Sequence, residues 1–321
     1  MKFKQLILKY FYVISSLFLF VFASCGPSSD FRDMHKEMSE SGQNRFFADP
    51  LVFYDSASSK PRLDLSVEIP IANISFQKNY QNNTYYSKIF ITVNLKNAAG
   101  ETVQSKKYEE TSLYSYEEIK AKAKESQLYL YSYSVTSDVY KLEVELKDVY
   151  MNSDYKKSFS VNAVDFASLD MSTSDLMLLS KIDVNPDGTK EITPHINNNI
   201  FGIKEMSVFF EIYNNSGGDV TKDYSLKLMS DDGEVIKETA LHYNLTPGKN
   251  QKFENVFSGM DIMKHLESEP TPDVSQPGPV KKYSFKIEMF DVSTGKVIAL
   301  KKLLFYPDRL RPGTLNRPPP R

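Results

Sequence analysis

Apolar and polar residues alternate with a period of two through most of the chain beyond residue 60. In Arg62–Pro70, Leu63, Leu65, Val67 and Ile69 point one way while Asp64, Ser66 and Glu68 point the other. This is the pattern of a strand with one face in a core. Tyr140, Leu142, Val144 and Leu146 alternate with Lys141, Glu143, Glu145 and Lys147 in the same way, giving the clearest strand of the chain. Further strands are predicted over 86–95, 103–108 and 128–135 and around Phe159 and Val161. Between the first two of these, Asn97-Ala-Ala-Gly100 predicts a hairpin turn, with glycine where a positive φ is needed. Ser115 and Glu118 have capping-box spacing and open a short helix through Ser126. Asp138-Val-Tyr140-Lys-Leu142 has the spacing of a tyrosine corner, in which the phenol bonds upstream backbone; an ordinary buried strand tyrosine is the alternative.

The second half repeats the first. Tyr140-Lys-Leu-Glu-Val-Glu-Leu-Lys-Asp-Val149 aligns with Tyr283-Ser-Phe-Lys-Ile-Glu-Met-Phe-Asp-Val292, and the turn at Asn97–Val103 with Asp231–Val235 between strands 224–229 and 235–239. The helix predicted over 258–266 is taken as the counterpart of the first. These matches predict an all-β protein of two tandem immunoglobulin-like β-sandwich domains, each with a short inserted helix. The domains span 51–164 and 165–308. Pro270, Pro272, Pro277 and Pro279 predict a loop rather than a strand, and Pro312 and Pro318–Pro320 an extended basic tail over 309–321.

Ahead of the strands lies a different pattern. Lys2, Lys4 and Lys9 precede an apolar run from Tyr10, which ends in Phe22-Ala-Ser-Cys25. As a helix, Tyr10–Phe22 reaches about 20 Å, short of the ~30 Å hydrocarbon core of a bilayer. Basic end, apolar core and small residues together read as a secretory signal over 1–24. The last four residues resemble the lipobox of bacterial lipoproteins, with Phe22 where leucine is usual. That resemblance implies cleavage before Cys25 and attachment of lipid, with fatty acyl chains such as palmitate, to its thiol. Cys25 is the only cysteine, so there is no disulfide framework. Residues 25–50 are then a polar tether, and the expected location is the bacterial envelope, at the outer membrane.

The formal net charge is −2; removing the three leader lysines makes it −5, and setting aside the four tail arginines leaves the body at −9. An acidic body excludes nucleic acid as a partner, since phosphate binding needs clustered cations.

Arg62-Leu-Asp-Leu-Ser-Val-Glu-Ile-Pro70, Tyr108-Glu-Glu-Thr111, Ser174-Asp-Leu-Met-Leu-Leu179 and Val208-Phe-Phe-Glu-Ile-Tyr-Asn214 resemble the N-terminal region of GWxTD-domain proteins. These are exported bacterial proteins in which β-sandwich modules precede a C-terminal domain. The resemblance runs over roughly 62–308. The chain has no tryptophan, so the naming motif is absent. No catalytic residue carries over from it to the sandwiches.

Candidate chemistry is sparse. His35, His195, His242 and His265 are scattered, and no nucleophile elbow, phosphate loop or dinucleotide fingerprint is present. Asp183, Asn185, Asp187 and Glu191 have the alternating oxygens of a weak calcium loop closed by Gly188. Pro194, however, stands where a bidentate glutamate would complete the shell, and a polar turn is the plainer alternative. Twelve of the twenty tyrosines lie between Tyr80 and Tyr155. Tyr129, Tyr131 and Tyr133 share one strand face, either in the core, which is favoured, or as an exposed platform for sugars or a protein. The expectation is a lipid-anchored, non-enzymatic binding or assembly module that meets other envelope proteins and needs no cofactor. A glycan-binding lipoprotein or a hydrolase with an unrecognisable site is the alternative.

Overall fold

The computed structural model describes residues 45–151, 153–200, 203, 205–268 and 283–305. In the first half the strands are β1 (Phe47–Asp55), β2 (Lys60–Pro70), β3 (Gln77–Asn79), β4 (Thr84–Lys96), β5 (Thr102–Tyr114), β6 (Ser126–Ser134), β7 (Asp138–Asp148) and β8 (Ser153–Ala163). Helix α1 (Tyr116–Lys122) lies between β5 and β6. The second half holds β9 (Met171–Thr173), β10 (Met177–Val184), β11 (Lys190–Pro194), β12 (Glu205–Asn214), β13 (Val220–Ser230), β14 (Val235–Leu245) and β15 (Gly248–Ser258), then helix α2 (Gly259–Ser268), β16 (Tyr283–Asp291) and β17 (Lys296–Phe305).

Each half is an immunoglobulin-like sandwich. In the first, the antiparallel sheet β1-β2-β6 faces the sheet β5-β4-β7-β8, with β3 paired to the start of β4. In the second, β10-β12-β15 faces β14-β13-β16-β17, with β9 and β11 as additions at the edge. Inner positions fill the cores. Leu63, Leu65, Val67, Ile91, Val93, Leu142 and Val144 close the first, and Leu226, Leu228, Phe285, Ile287 and Met289 the second.

The duplicated motifs have duplicated geometry. Val149 N donates to Lys88 O at 3.1 Å, and Val292 N to Asp223 O at 3.1 Å. The aspartate before each valine closes the turn that follows. Asp148 Oδ1 accepts from Tyr150 N at 2.9 Å, and Asp291 Oδ1 from Ser293 N at 2.8 Å. The two hairpin turns also match: Gly100 N donates to Asn97 O at 2.9 Å and Gly233 N to Ser230 O at 3.1 Å, with glycine φ of 83° and 92°. Tyr140 forms the tyrosine corner, its Oη donating to Thr136 O at 3.0 Å as the chain enters β7.

Two expectations are corrected. The helices are not counterparts, because α1 precedes β6 whereas α2 follows its equivalent, β15. In α1 the capping box has both arms, Ser115 N donating to Glu118 Oε2 at 2.7 Å and Glu118 N to Ser115 Oγ at 3.2 Å, while at α2 Ser258 N donates to Asp261 Oδ2 at 2.7 Å. The predicted tether, 25–50, also extends too far. Phe46, Ala48 and Asp49 are buried, and β1 begins at Phe47. The rest of that tether, Cys25, the leader, the Pro270–Pro279 loop and the 309–321 tail lie outside the described residues. Among the described residues no helix is long and apolar enough to cross a membrane.

Candidate functional site

Of the two readings of the tyrosine row, the core is the one found. Tyr129, Tyr131 and Tyr133 point inward, against the first core, while Leu128 and Leu130 face solvent. Their phenols line the seam between β5 and β6. Tyr133 Oη lies 3.0 Å from Tyr108 Oη, Tyr131 Oη donates to Glu110 Oε1 at 3.1 Å, and Tyr129 Oη donates to Gln127 Oε1 at 2.5 Å. Tyr108 stacks on Tyr131 with centroids 4.0 Å apart. Burial, first, and the neighbouring phenols and Glu110 carboxylate push all three phenols well above the ordinary tyrosine range. With Tyr131 covered by Tyr108, Tyr133 buried and all three phenols hydrogen-bonded, the row packs as a closure of the sandwich.

The calcium loop is a third copy of the hairpin turn. Asn185 N donates to Thr189 O at 2.8 Å and Gly188 N to Asn185 O at 2.9 Å, with Gly188 at φ 83°. Two of the loop's carboxylates already have partners. Asp187 Oδ1 accepts from Thr189 N at 2.9 Å and Thr189 Oγ1 at 2.6 Å, and Lys181 Nζ holds Asp183 at 2.7 Å. Glu191 pairs across the ladder with Asp183. Among the described residues no group of three or more His, Cys, Asp or Glu side chains is placed to hold a metal ion.

The chemically dense region is one that the alternation pattern did not reveal: the joint between the sandwiches, built on β1. This strand is buried on both faces. Ala48 and Val52 enter the first core, while Leu51 and Phe53 pack on Leu179 and Phe209 of the second sandwich. Its outer edge is hydrogen-bonded as well. Val52 N donates to Asp175 Oδ2 at 2.7 Å, Asp175 N donates to Val52 O at 3.1 Å, and Tyr54 N donates to Tyr213 Oη at 2.9 Å. Tyr213 belongs to β12, yet its ring sits in the first core, edge-on to Tyr54 at 5.4 Å and to Phe166 at 5.3 Å. Its phenol donates to buried Glu211 Oε2 at 2.5 Å. A buried ion pair completes the joint, with Lys301 Nζ of β17 donating to both carboxylate oxygens of Asp49 at 2.5 Å.

Beside this joint a cleft of about 380 Å³ opens between β1, β8, β9 and β17, lined by Val52, Asn162, Phe166, Asp175 and Ala299 among others. Asp175 is the one ionisable side chain on its wall, and burial raises its pKa. Among the described residues that line the cleft, this backbone-engaged carboxyl stands without a histidine or second carboxylate, which is short of an acid–base constellation. His195 stands near Asp49 and Lys301 but hydrogen-bonds Asn199 O through Nε2 at 2.9 Å. His242 pairs with Asp223 at 2.6 Å, and His265 lies edge-on to Phe285 at 6.1 Å. The histidines are as scattered in space as in sequence, with His35 outside the described residues.

The joint has a signed pH dependence. Burial, with smaller opposing contributions from the Asn199 carbonyl, Glu68 and Asp49, lowers the His195 pKa below its ordinary 6.5. Its stability contribution is therefore fully present above pH ~6.5 and is lost as pH falls through the lowered folded value. Asp49 and Asp175 are raised by burial, so their contributions run the other way, present in acid and lost as pH rises. His195→Gln is expected to remove the part of the stability slope that lies just below neutrality, read as urea midpoints across that window. An unchanged slope would place the histidine outside the joint's electrostatics.

No family model matches the chain, and no curated protein matches it. Among solved structures it is similar to a β-glucuronidase of Bacteroides uniformis (7% identity, TM-score 0.27), covering 76% of this chain and 26% of that one. It is similar also to red sea bream transglutaminase (8%, TM-score 0.23), covering 88% and 34%, and to a putative β-galactosidase from Bacteroides fragilis (8%, TM-score 0.24), covering 76% and 32%. The chain spans about a third or less of each of these proteins, and at such scores nothing about substrate or reaction passes between them.

Proposed function

We propose that the chain is a lipid-anchored protein of the bacterial envelope, at the outer membrane, held by acylated Cys25 and acting as a non-catalytic binding or assembly module. The observation that carries this reading is the position of β1. The segment that follows the lipobox-like Phe22-Ala-Ser-Cys25 leads directly into the strand that locks both sandwiches together. A tether attached there holds the whole paired body. Residues 26–44 reach at most about 65 Å when extended, which bounds how far that body can stand from the bilayer. With strand interiors committed to packing, recognition falls to loops and edges, such as the Asn185–Thr189 turn and the outer side of β6, where Leu130 is 64% exposed. The resemblance to the sandwich modules of GWxTD-domain proteins supports the same reading: Arg62–Pro70 and Val208–Asn214 fall in β2 and β12, the equivalent strands of the two copies.

Photo-cross-linkers at Asp187 and Leu130 in intact cells are expected to trap another envelope protein, and purified protein is expected to leave common ester, glycoside and peptide substrates intact. Hydrolysis that survives repurification and vanishes on a single carboxylate or histidine substitution, Asp175→Asn first, would overturn the binding reading in favour of an enzyme.

A further inference from the structure

The end of the first sandwich at which the chain arrives from the leader has an unusual surface. β1 starts at Phe47 opposite Glu68, and Asn73 Nδ2 donates to Arg45 O at 3.1 Å, so the first described residues lie beside the loop that leaves β2. From the same end a lip projects. β4 pairs with β7 only from Ile89 onward, whereas its pairing with β3 and β5 continues back through Tyr85 and Tyr86. At ~3.3 Å per residue, the lip stands about 15 Å beyond the end of β7.

Its rings and cations are tyrosine and lysine, set among the amides Gln81, Asn82 and Asn83 and beside the acids Glu117 and Glu118 that open α1. Tyr80, just past β3, is 73% exposed at the tip. Lys78 Nζ sits 5.5 Å from the Tyr80 ring centre and 5.8 Å from that of Tyr85. Tyr116 of α1 lies 6.0 Å from Tyr85 and has Lys120 Nζ 4.9 Å over its own ring. Behind them Tyr86 meets Tyr150 edge-on at 5.4 Å. Rings with a polar tip, flanked by ammonium groups on apolar stems, are the side chains that settle at a bilayer's headgroup level.

We propose that this lip is a membrane-apposing surface that rests on the lipid headgroups of the bilayer to which the protein is anchored. The inference builds on the lipid-anchor reading above. The occupant follows from where the chain enters: the acylated cysteine can be no farther from this end than the tether allows. Held within that reach, the lip meets lipid at high effective concentration, so contacts too weak to bind a free protein suffice. Apposition fixes an orientation, with the Asn97–Gly100 turn at the opposite end pointing away from the bilayer.

The test uses the acylated full chain in vesicles of phosphatidylethanolamine and phosphatidylglycerol, with a nitroxide on Gln81→Cys or Ala98→Cys, both exposed positions. The label at 81 is expected to be several-fold less accessible to a water-soluble relaxant than that at 98. Adding Tyr80→Ser and Lys78→Ser to the Gln81→Cys chain should restore access. Equal accessibility at 81 and 98 in vesicle-bound protein would overturn the apposition and leave the anchor standing, as would protection that persists without Tyr80 and Lys78. Protection that appears with soluble anionic polysaccharide but not on vesicles would overturn it in favour of a glycan surface. Protein that fails to stay with vesicles at all would overturn both readings.

Discussion

Lys301→Met is expected to destabilise the protein by about 3–5 kcal/mol, the range for removing one partner of a buried ion pair. The lysine reaches both oxygens of Asp49 at 2.5 Å, and both side chains are buried. The loss comes from what is left behind: a carboxylate in the joint with its cation gone. Burial already holds the Asp49 pKa above its ordinary value, with Lys301 the main opposing influence. The double substitution Asp49→Val with Lys301→Met removes both charges and should recover much of the loss. Urea unfolding followed by tyrosine fluorescence and far-ultraviolet dichroism measures both. A single variant within ~0.5 kcal/mol of the parent would show a pair that behaves like a solvated one.

Tyr213→Ala should cost a similar amount, by a different route. It removes a wholly buried ring from between Tyr54 and Phe166, for which large-to-small changes cost about 3–5 kcal/mol. It also deprives Tyr54 N of its acceptor and Glu211 of a donor. Tyr213→Phe separates the two contributions, keeping the packing and losing the phenol at about 1–3 kcal/mol. Because the ring belongs to the second sandwich but fills the first core, the damage should appear as faster amide exchange in β1, at Val52 and Tyr54. Exchange confined to β12 would mean that the sandwiches are joined less closely than the packing implies.

Much of each sandwich was legible because its strands have one wet face. β7 alternates in sequence since Leu142 and Val144 face a core while Lys141 and Glu145 face water. The repeated Asp-Val and the turn glycines were legible because they do local backbone work, accepting amides two residues on or supplying a positive φ. β1 escaped for the opposite reason. Phe46-Phe-Ala-Asp-Pro-Leu-Val-Phe-Tyr54 is buried on both faces, so it does not alternate, and a continuous apolar run is the only trace such a strand leaves. The ion pair at its start joins residues 252 apart, and no local pattern announces that.

Period-two spacing puts the tyrosine row on one face of β6, and that face packs against the first core. The row's partners Tyr108 and Glu110 leave no trace in that spacing, because they come from β5, whereas Gln127 stands two residues before Tyr129 on β6 itself. The supposed calcium loop shows the limit of composition: alternating oxygens and a glycine serve a hairpin turn as well as an ion, and here Thr189 and Lys181 take the carboxylates. Spacing along the chain does not distinguish an insertion before a strand from one after it, so α1 and α2 look alike in sequence while standing before β6 and after β15.

The central claim is that Cys25 holds the paired sandwiches at a membrane, and fractionation of a Cys25→Ala variant tests it most directly. Stable attachment takes two or more acyl chains, so with the thiol gone the variant is expected in the soluble fraction while the parent stays with membranes until detergent is added. A variant that still sediments and is released by detergent alone would contradict the claim, making the leader an uncleaved membrane segment.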